Sequence, residues 1–244
     1  MIFRKLWSKI DNYFSKDEQL IINSLENEKK EHQEQNLLLQ EQNDILNKLV
    51  SEKEQEAELE KFWNNKRPQT SWRHKARPLF ENKDGTWDKV NINVDPRIFF
   101  TNDNTLSTFQ TVSFDERASK CLNWVASNIT YTPDKEGEFW QFAYETQKRK
   151  LGDCEDGAIL MANMMLMSGI PYWRIRLNCG EVQGGGHAYV TYLRELDNEW
   201  YVMDWCYWYN ESKNFKKSWK DAKKYFGIWG SWNSKYMFGD LPKD

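Results

Sequence analysis

Apolar positions fall into three patterns along this chain. From Ala158 through Ile159, Leu160, Met161, Met164, Met165, Leu166 and Met167 they are nearly continuous, then stop at Ser168-Gly169-Ile170-Pro171. A helix apolar all round is a buried helix, and glycine followed by proline is a helix terminator. A second pattern repeats at helical spacing: Ala118, Cys121, Leu122, Val125, Ala126 and Ile129 follow Ser113-Phe114-Asp115-Glu116, which has the form of a capping box. Phe139 to Lys150 reads as a further helix, separated from the last by Tyr131-Thr132-Pro133-Asp134. The third pattern is alternation, over Tyr172 to Asn178, Ala188 to Arg194 and Glu199 to Asp204, with Leu196-Asp197-Asn198 as a hairpin turn between the last two. Helices beside an antiparallel sheet define an α+β domain, expected over residues 113–244.

Residues 17–63 are different. They contain no glycine or proline, no aromatic residue before Phe62, and mostly Glu, Gln, Asn, Lys and Leu, which predicts one long helix. One heptad frame places Ile22, Lys29, Asn36, Asn43, Val50 and Ala57 at a, with Leu25, His32, Leu39, Leu46 and Lys53 at d. A second frame uses Leu38, Ile45, Leu49 and Leu59. So polar a helix gains little on its own, so a coiled coil that makes the chain a homo-oligomer is favoured over a solvated tether. Ahead of it, residues 1–16 place Ile2, Phe3, Leu6, Trp7, Ile10 and Phe14 at helical spacing, an amphipathic lead-in that suits docking on a partner or on the chain itself better than a membrane surface. Behind it, residues 64–112 form a connecting arm with turns at Lys83-Asp84-Gly85-Thr86 and Val94-Asp95-Pro96-Arg97. The arm's basic run Lys66, Arg67, Arg73, His74, Lys75 and Arg77, with Trp72 among them, is more readily a solvated linker than a nucleic-acid contact.

Composition narrows the function classes. A net charge of −3 in 244 residues makes no general case for nucleic acid or an anionic membrane as partner. There is no apolar run of about 18 residues to span a membrane. Met1-Ile2-Phe3-Arg4-Lys5-Leu6-Trp7 lacks the apolar stretch of a secretory signal, so the expected site of synthesis is a cytosol. The four cysteines, Cys121, Cys154, Cys179 and Cys206, are widely spaced, with no C-x-x-C and only three histidines in the chain. That argues against zinc and gives no disulfide framework.

The candidate chemistry centres on Cys154, in Gly152-Asp153-Cys154-Glu155-Asp156-Gly157, where a turn hands over to the buried helix. Unpaired N–H groups and the dipole at a helix N-terminus favour a thiolate, whereas Glu155 and Asp156 disfavour it. His187 opens a predicted strand and Asp204 closes another. Thiol, imidazole and carboxylate make a nucleophile, base and orienter. A hairpin centred between Asp197 and Asn198 pairs Asp204 with Thr191, on the face of His187 but roughly 13 Å along the strand from it. Contact therefore requires a turn nearer Glu195-Leu196 or a bulge. Gly184-Gly185-Gly186 before His187 suits a close approach of backbone to substrate. Cys179 and Cys206 are alternative thiols that fit the core better, and Cys121 is a core residue.

Gly152-Asp153-Cys154-Glu155-Asp156, Gly186-His187-Ala188-Tyr189-Val190 and Tyr201-Val202-Met203-Asp204 together resemble the transglutaminase-like superfamily, a papain-like fold with its triad in the order Cys, His, Asp. The bacterial transglutaminase-like cysteine peptidases are the most similar, with Trp140 and Glu145 upstream of the cysteine as in that group; the pattern covers about residues 114–208. The resemblance implies Cys154 as nucleophile, His187 as base and Asp204 as orienter, in acyl transfer from a peptide or glutamine amide to water or an amine. The backbone N–H of Cys154 and the amide of Gln141 are expected to hold the oxyanion. The chemistry requires no cofactor. In some members acidic residues beside the cysteine bind calcium, which implies Asp153 and Glu155. Similar domains occur in tailed-phage virion proteins, and the coiled coil with the aromatic stretch Tyr225-Phe226-Gly227-Ile228-Trp229 fits that setting by analogy. The competing expectation is an assembly protein with virion partners, whose domain is a docking scaffold.

Overall fold

The structure is a computed structural model that describes residues 16–65, 94–134, 138–182, 185–207 and 225–238. The amphipathic lead-in up to residue 15, the basic run 66–77 and the turn at 83–86 lie outside the described residues. The chain divides into two compact units, residues 1–61 and 62–244.

The first unit is described by its helix. This helix, α1 (Lys16–Asn65), has 50 residues, as the absence of glycine and proline predicts. Its Leu20, Ile21, Leu25, Leu37, Leu38, Leu39, Ile45, Leu46, Leu49 and Val50 are all exposed. The last turn belongs to the second unit, where Trp63 meets the ring of Trp200 edge-on at 5.6 Å and Asn64 donates to the Tyr172 hydroxyl at 2.9 Å.

The second unit has α2 (Phe114–Asn128), β1 (Thr130–Tyr131), α3 (Ala143–Arg149), β2 (Leu151–Gly152), α4 (Cys154–Met167), β3 (Ile175–Val182), β4 (Gly185–Leu193), β5 (Trp200–Met203), β6 (Tyr225–Trp232) and β7 (Met237–Phe238). Strands β3 to β7 form one antiparallel sheet in the order β5-β4-β3-β6-β7. The helix α4 packs between α2, α3 and this sheet, and its side chains from Glu155 to Met165 are all buried. That is why its apolar pattern has no polar face.

At the start of α2, the Ser113 hydroxyl accepts the N–H of Glu116 at 3.2 Å, and Ala118, Cys121, Leu122 and Val125 face the core. Burial pushes the Cys121 thiol up to about 12, so it is inert as a nucleophile. Asp95 accepts the N–H of Arg97 at 3.0 Å and starts a single 3₁₀ turn, Pro96–Phe99. Val94, Phe99 and Leu106 enter the same core, so packing takes in residues ahead of Ser113.

Two elements differ from expectation. The helix read over Phe139 to Lys150 is only Ala143–Arg149, because Trp140 is buried as a stack on Trp232 (centroids 5.9 Å apart) and the N–H of Gln141 is taken by Asp156 Oδ1 at 2.7 Å. The aromatic stretch from Tyr225, read as a tail, is β6, an inner strand of the sheet that pairs with β3 on one side and β7 on the other.

Candidate active site

Cys154 is the first residue of α4, placed where two short strands bring the chain together. Thr130 pairs with Leu151 and Tyr131 with Gly152, in parallel, which lays Tyr131 and Asp134 beside the turn before the helix. On the other side, burial against β4 puts the Ala188 N–H within hydrogen-bonding reach of the Cys154 sulfur, one residue from His187.

His187 Nε2 lies 2.7 Å from Asp204 Oδ2, and both side chains are buried. The N–H tautomer at Nε2 donates to the carboxylate; the other ring nitrogen, Nδ1, is then the base. The pairing arises in a way the sequence does not predict. In the β4–β5 ladder Val190 faces Met203 and Leu193 faces Trp200, without a shift, so the hairpin is centred between Leu196 and Asp197. The ladder ends at Met203. Continued by one pair, its register would set Asp204 opposite Tyr189, two residues from His187. The turn thus lies nearer Glu195-Leu196, as one of the two alternatives expected, but by one residue only, and no bulge between β4 and β5 closes the rest of the gap. Asp204, free of the ladder, reaches diagonally to the imidazole, and its other oxygen, Oδ1, accepts the Cys206 N–H at 2.8 Å.

Trp205 ties Asp204 to the cysteine. Its indole N–H donates to the Cys154 carbonyl at 3.2 Å, and its ring lies so close over Gly157 that a Cβ there would sit 2.3 Å from it. Glycine at 157 is thus required for the indole to dock on the first turns of α4. At Gly186 the space beside the backbone is filled by the Trp229 ring, 2.7 Å from where a Cβ would stand, so this glycine accommodates an indole where substrate was expected.

The charges around the thiol oppose its ionisation. Burial and then the neighbouring Glu155 carboxyl push the Cys154 thiol well up, outweighing the helix N-terminus. The thiol donates to Glu155 Oε2 at 3.0 Å. Burial, followed by the charge of Asp153, raises Glu155 to about 9, and burial raises Asp153 as well. Asp156 is raised to about 7 and Asp134 to about 6, again by burial first.

Gln141 does not offer what was expected of it. Its side-chain N–H groups go to Asp156 Oδ2 and to the Leu151 carbonyl, and its buried Oε1 has no donor among the described residues. In this arrangement no N–H of the amide remains for an oxyanion, and Gln141 serves to hold Asp156. Asp156 also accepts the N–H of Asp153 at 3.3 Å, which fixes the turn into α4.

Asp134, Asp153 and Glu155 can each place one carboxylate oxygen within 4.8 Å of the other two. Of these, Asp134 was read only as part of a helix break. Cys206 stands equally close to His187 and Asp204, with its thiol pushed up by burial and by Asp204. Cys179 is buried in the core and pushed up by burial. Tyr225 was also missed: its hydroxyl donates to Asp204 Oδ2 at 2.5 Å, across 21 residues of sequence and with no local motif to announce it.

Residues 102–205 match the model of the transglutaminase-like superfamily core. Among solved structures, LapG of Legionella pneumophila is similar at 16% identity and a TM-score of 0.44, over 53% of this chain and 70% of that one. Its EGTA-treated form gives 15% and 0.46 (54% and 70%), and its calcium-bound form 16% and 0.42 (54% and 76%). No curated protein matches. Among the described residues no helix is long and apolar enough to cross a membrane.

Proposed function

We propose that the domain is a cysteine acyl-transfer enzyme that acts on an amide of a protein or peptide, with Cys154 as nucleophile, His187 as base and Asp204 as orienter. The observation that carries this reading is the buried 2.7 Å contact between His187 Nε2 and Asp204, which leaves Nδ1 as the proton acceptor on a strand whose next N–H meets the thiol. Nδ1 takes the thiol proton, and sulfur attacks the carbonyl carbon. The resulting oxyanion is held by the backbone N–H of Cys154 at the start of α4. His187 returns the proton to the leaving amine as the C–N bond breaks, leaving a thioester. Water or a second amine, deprotonated by His187, then releases the acyl group: water gives a peptidase or amidase, an amine a cross-linker.

The donor set of Asp134, Asp153 and Glu155, all oxygen, fits a hard cation such as calcium, and among the described residues none donates a hydrogen bond to the buried Asp153 Oδ1. Bound there, the ion would supply positive charge beside Cys154 and offset the field of Glu155.

The exposed leucines and isoleucines of α1 support self-association through residues 17–63 as a coiled coil. The same helix favours a second reading, an assembly protein such as a virion component whose domain docks without turnover.

Hydroxylamine intercepts any thioester, whatever the natural acceptor, and so separates the two. Incubated with a mixed protein pool and hydroxylamine, the chain is expected to yield hydroxamates that Cys154→Ala does not. Equal yields from both would leave the assembly reading.

A further inference from the structure

Asp204 is the weak point of the site's construction. It stands one residue past the end of β5, without a ladder partner, and must reach two positions along β4 to meet His187. A carboxylate so placed can swing unless something holds it. On the Oδ1 side the holder is local, the N–H of Cys206. On the Oδ2 side it comes from β6, which is separated from β4 by β3.

The register of β6 shows how. Glycines 180 and 230 bracket an irregular stretch of the β3–β6 ladder: Gly180 faces Ile228 and Glu181 faces Gly227, but Val182 faces Tyr225, with Phe226 passed over. Without that bulge Val182 would face Phe226, and Tyr225 would point to the other side of the sheet. With it, Tyr225 is buried against Tyr189, ring centroids 4.4 Å apart, and its hydroxyl meets the Asp204 oxygen that also meets His187. Burial and the Asp204 carboxylate push the Tyr225 hydroxyl far up, so it stays a donor wherever the site could work.

We propose that Tyr225 is a positioning residue of this site: its hydroxyl, aimed by the β6 bulge, fixes Asp204 so that the carboxylate holds the Nε2–H form of His187 and frees Nδ1 for the thiol. The inference rests on the triad reading above for its catalytic consequence, but not for its geometry. Among the described residues the groups that face His187 are Asp204, the Cys206 thiol, the rings of Tyr189, Tyr207 and Tyr225, and, by way of Ala188, Cys154.

The test uses the full chain with Tyr225→Phe, which keeps the ring and its packing on Tyr189. NMR follows the ring of His187, one of three histidines, against pH. The expected result is an unchanged circular dichroism spectrum, a His187 titration midpoint lowered by about one pH unit as the carboxylate loosens, and faster exchange of the Nε2 proton with water. Cys154-dependent hydroxamate formation is expected to fall about tenfold. An unmoved midpoint in the folded variant would overturn the proposal, as would loss of the folded spectrum, which would make the hydroxyl a folding group. If the unaltered chain forms no Cys154-dependent hydroxamate, the enzyme reading fails by itself; the His187 titration still decides whether Tyr225 fixes Asp204.

Discussion

Glu155 accepts from the Cys154 thiol at 3.0 Å, and after burial this carboxyl is what most opposes the thiolate. Replacing Glu155 with Gln keeps the shape and removes the charge that the carboxyl takes on as pH rises past about 9. The variant is expected to alkylate at Cys154 about tenfold faster than the unaltered chain in a chelator, measured with iodoacetamide above about pH 9, where Glu155 is ionised. Gly157→Ala pushes a methyl group into the Trp205 ring, which must shift. A loss of about 1–3 kcal/mol in urea unfolding is expected, with slower Cys154 alkylation, because Trp205 is what joins Asp204 to α4. The three residues proposed as the triad can be picked out from the chain since each sits at the edge of a strongly patterned element: Cys154 at the head of an apolar run, His187 and Asp204 at the ends of alternating ones. Gln141 and Tyr225 could not be assigned that way. The role of Gln141 depends on which partner takes its N–H groups, and that of Tyr225 on a bulge, neither of which leaves a mark in periodicity.

At the scale of elements, α1, α2 and α4 follow their sequence patterns because α1 holds no glycine or proline, α2 has a helical period behind the Ser113 cap, and α4 is a nearly continuous apolar run stopped at Gly169. The helix α3 is shorter than its pattern since tertiary contacts of Trp140 and Gln141 outweigh local propensity over residues 139–142. The hairpin register falls between the two considered from the sequence, and the missing reach is made up by the freedom of Asp204 beyond the strand end. Strands β6 and β7 were illegible for a different reason: β6 pairs with β3, more than forty residues away, and mixes glycine with aromatics in no clean alternation. The core helix α4 carries the cysteine, so its packing should be costly to alter. Leu160→Ala is expected to lower stability by about 2–5 kcal/mol, measured by urea unfolding.

For the whole molecule, the raised carboxyls give stability a definite pH dependence. Glu155, at about 9 when folded and near the ordinary carboxylate range when unfolded, binds its proton more tightly in the native state. Its contribution is therefore complete below about pH 4.5 and is lost as pH rises toward 9. In a chelator, thermal melting is expected to fall across that window and to flatten in Glu155→Gln; calcium is expected to restore the alkaline side if Asp134, Asp153 and Glu155 hold it. The exposed apolar residues of α1 predict association: sedimentation of the full chain is expected to give an oligomer, and Leu39→Glu with Leu46→Glu a monomer. All of this surrounds one central claim, that Cys154 is a nucleophile served by His187. Iodoacetamide labelling of the folded chain in calcium, located by peptide mass, tests it most directly. Labelling at Cys154 ahead of Cys121, Cys179 and Cys206, and about tenfold slower in His187→Ala, is the predicted result. Labelling of Cys154 no faster than Cys206, and indifferent to His187→Ala, would contradict it.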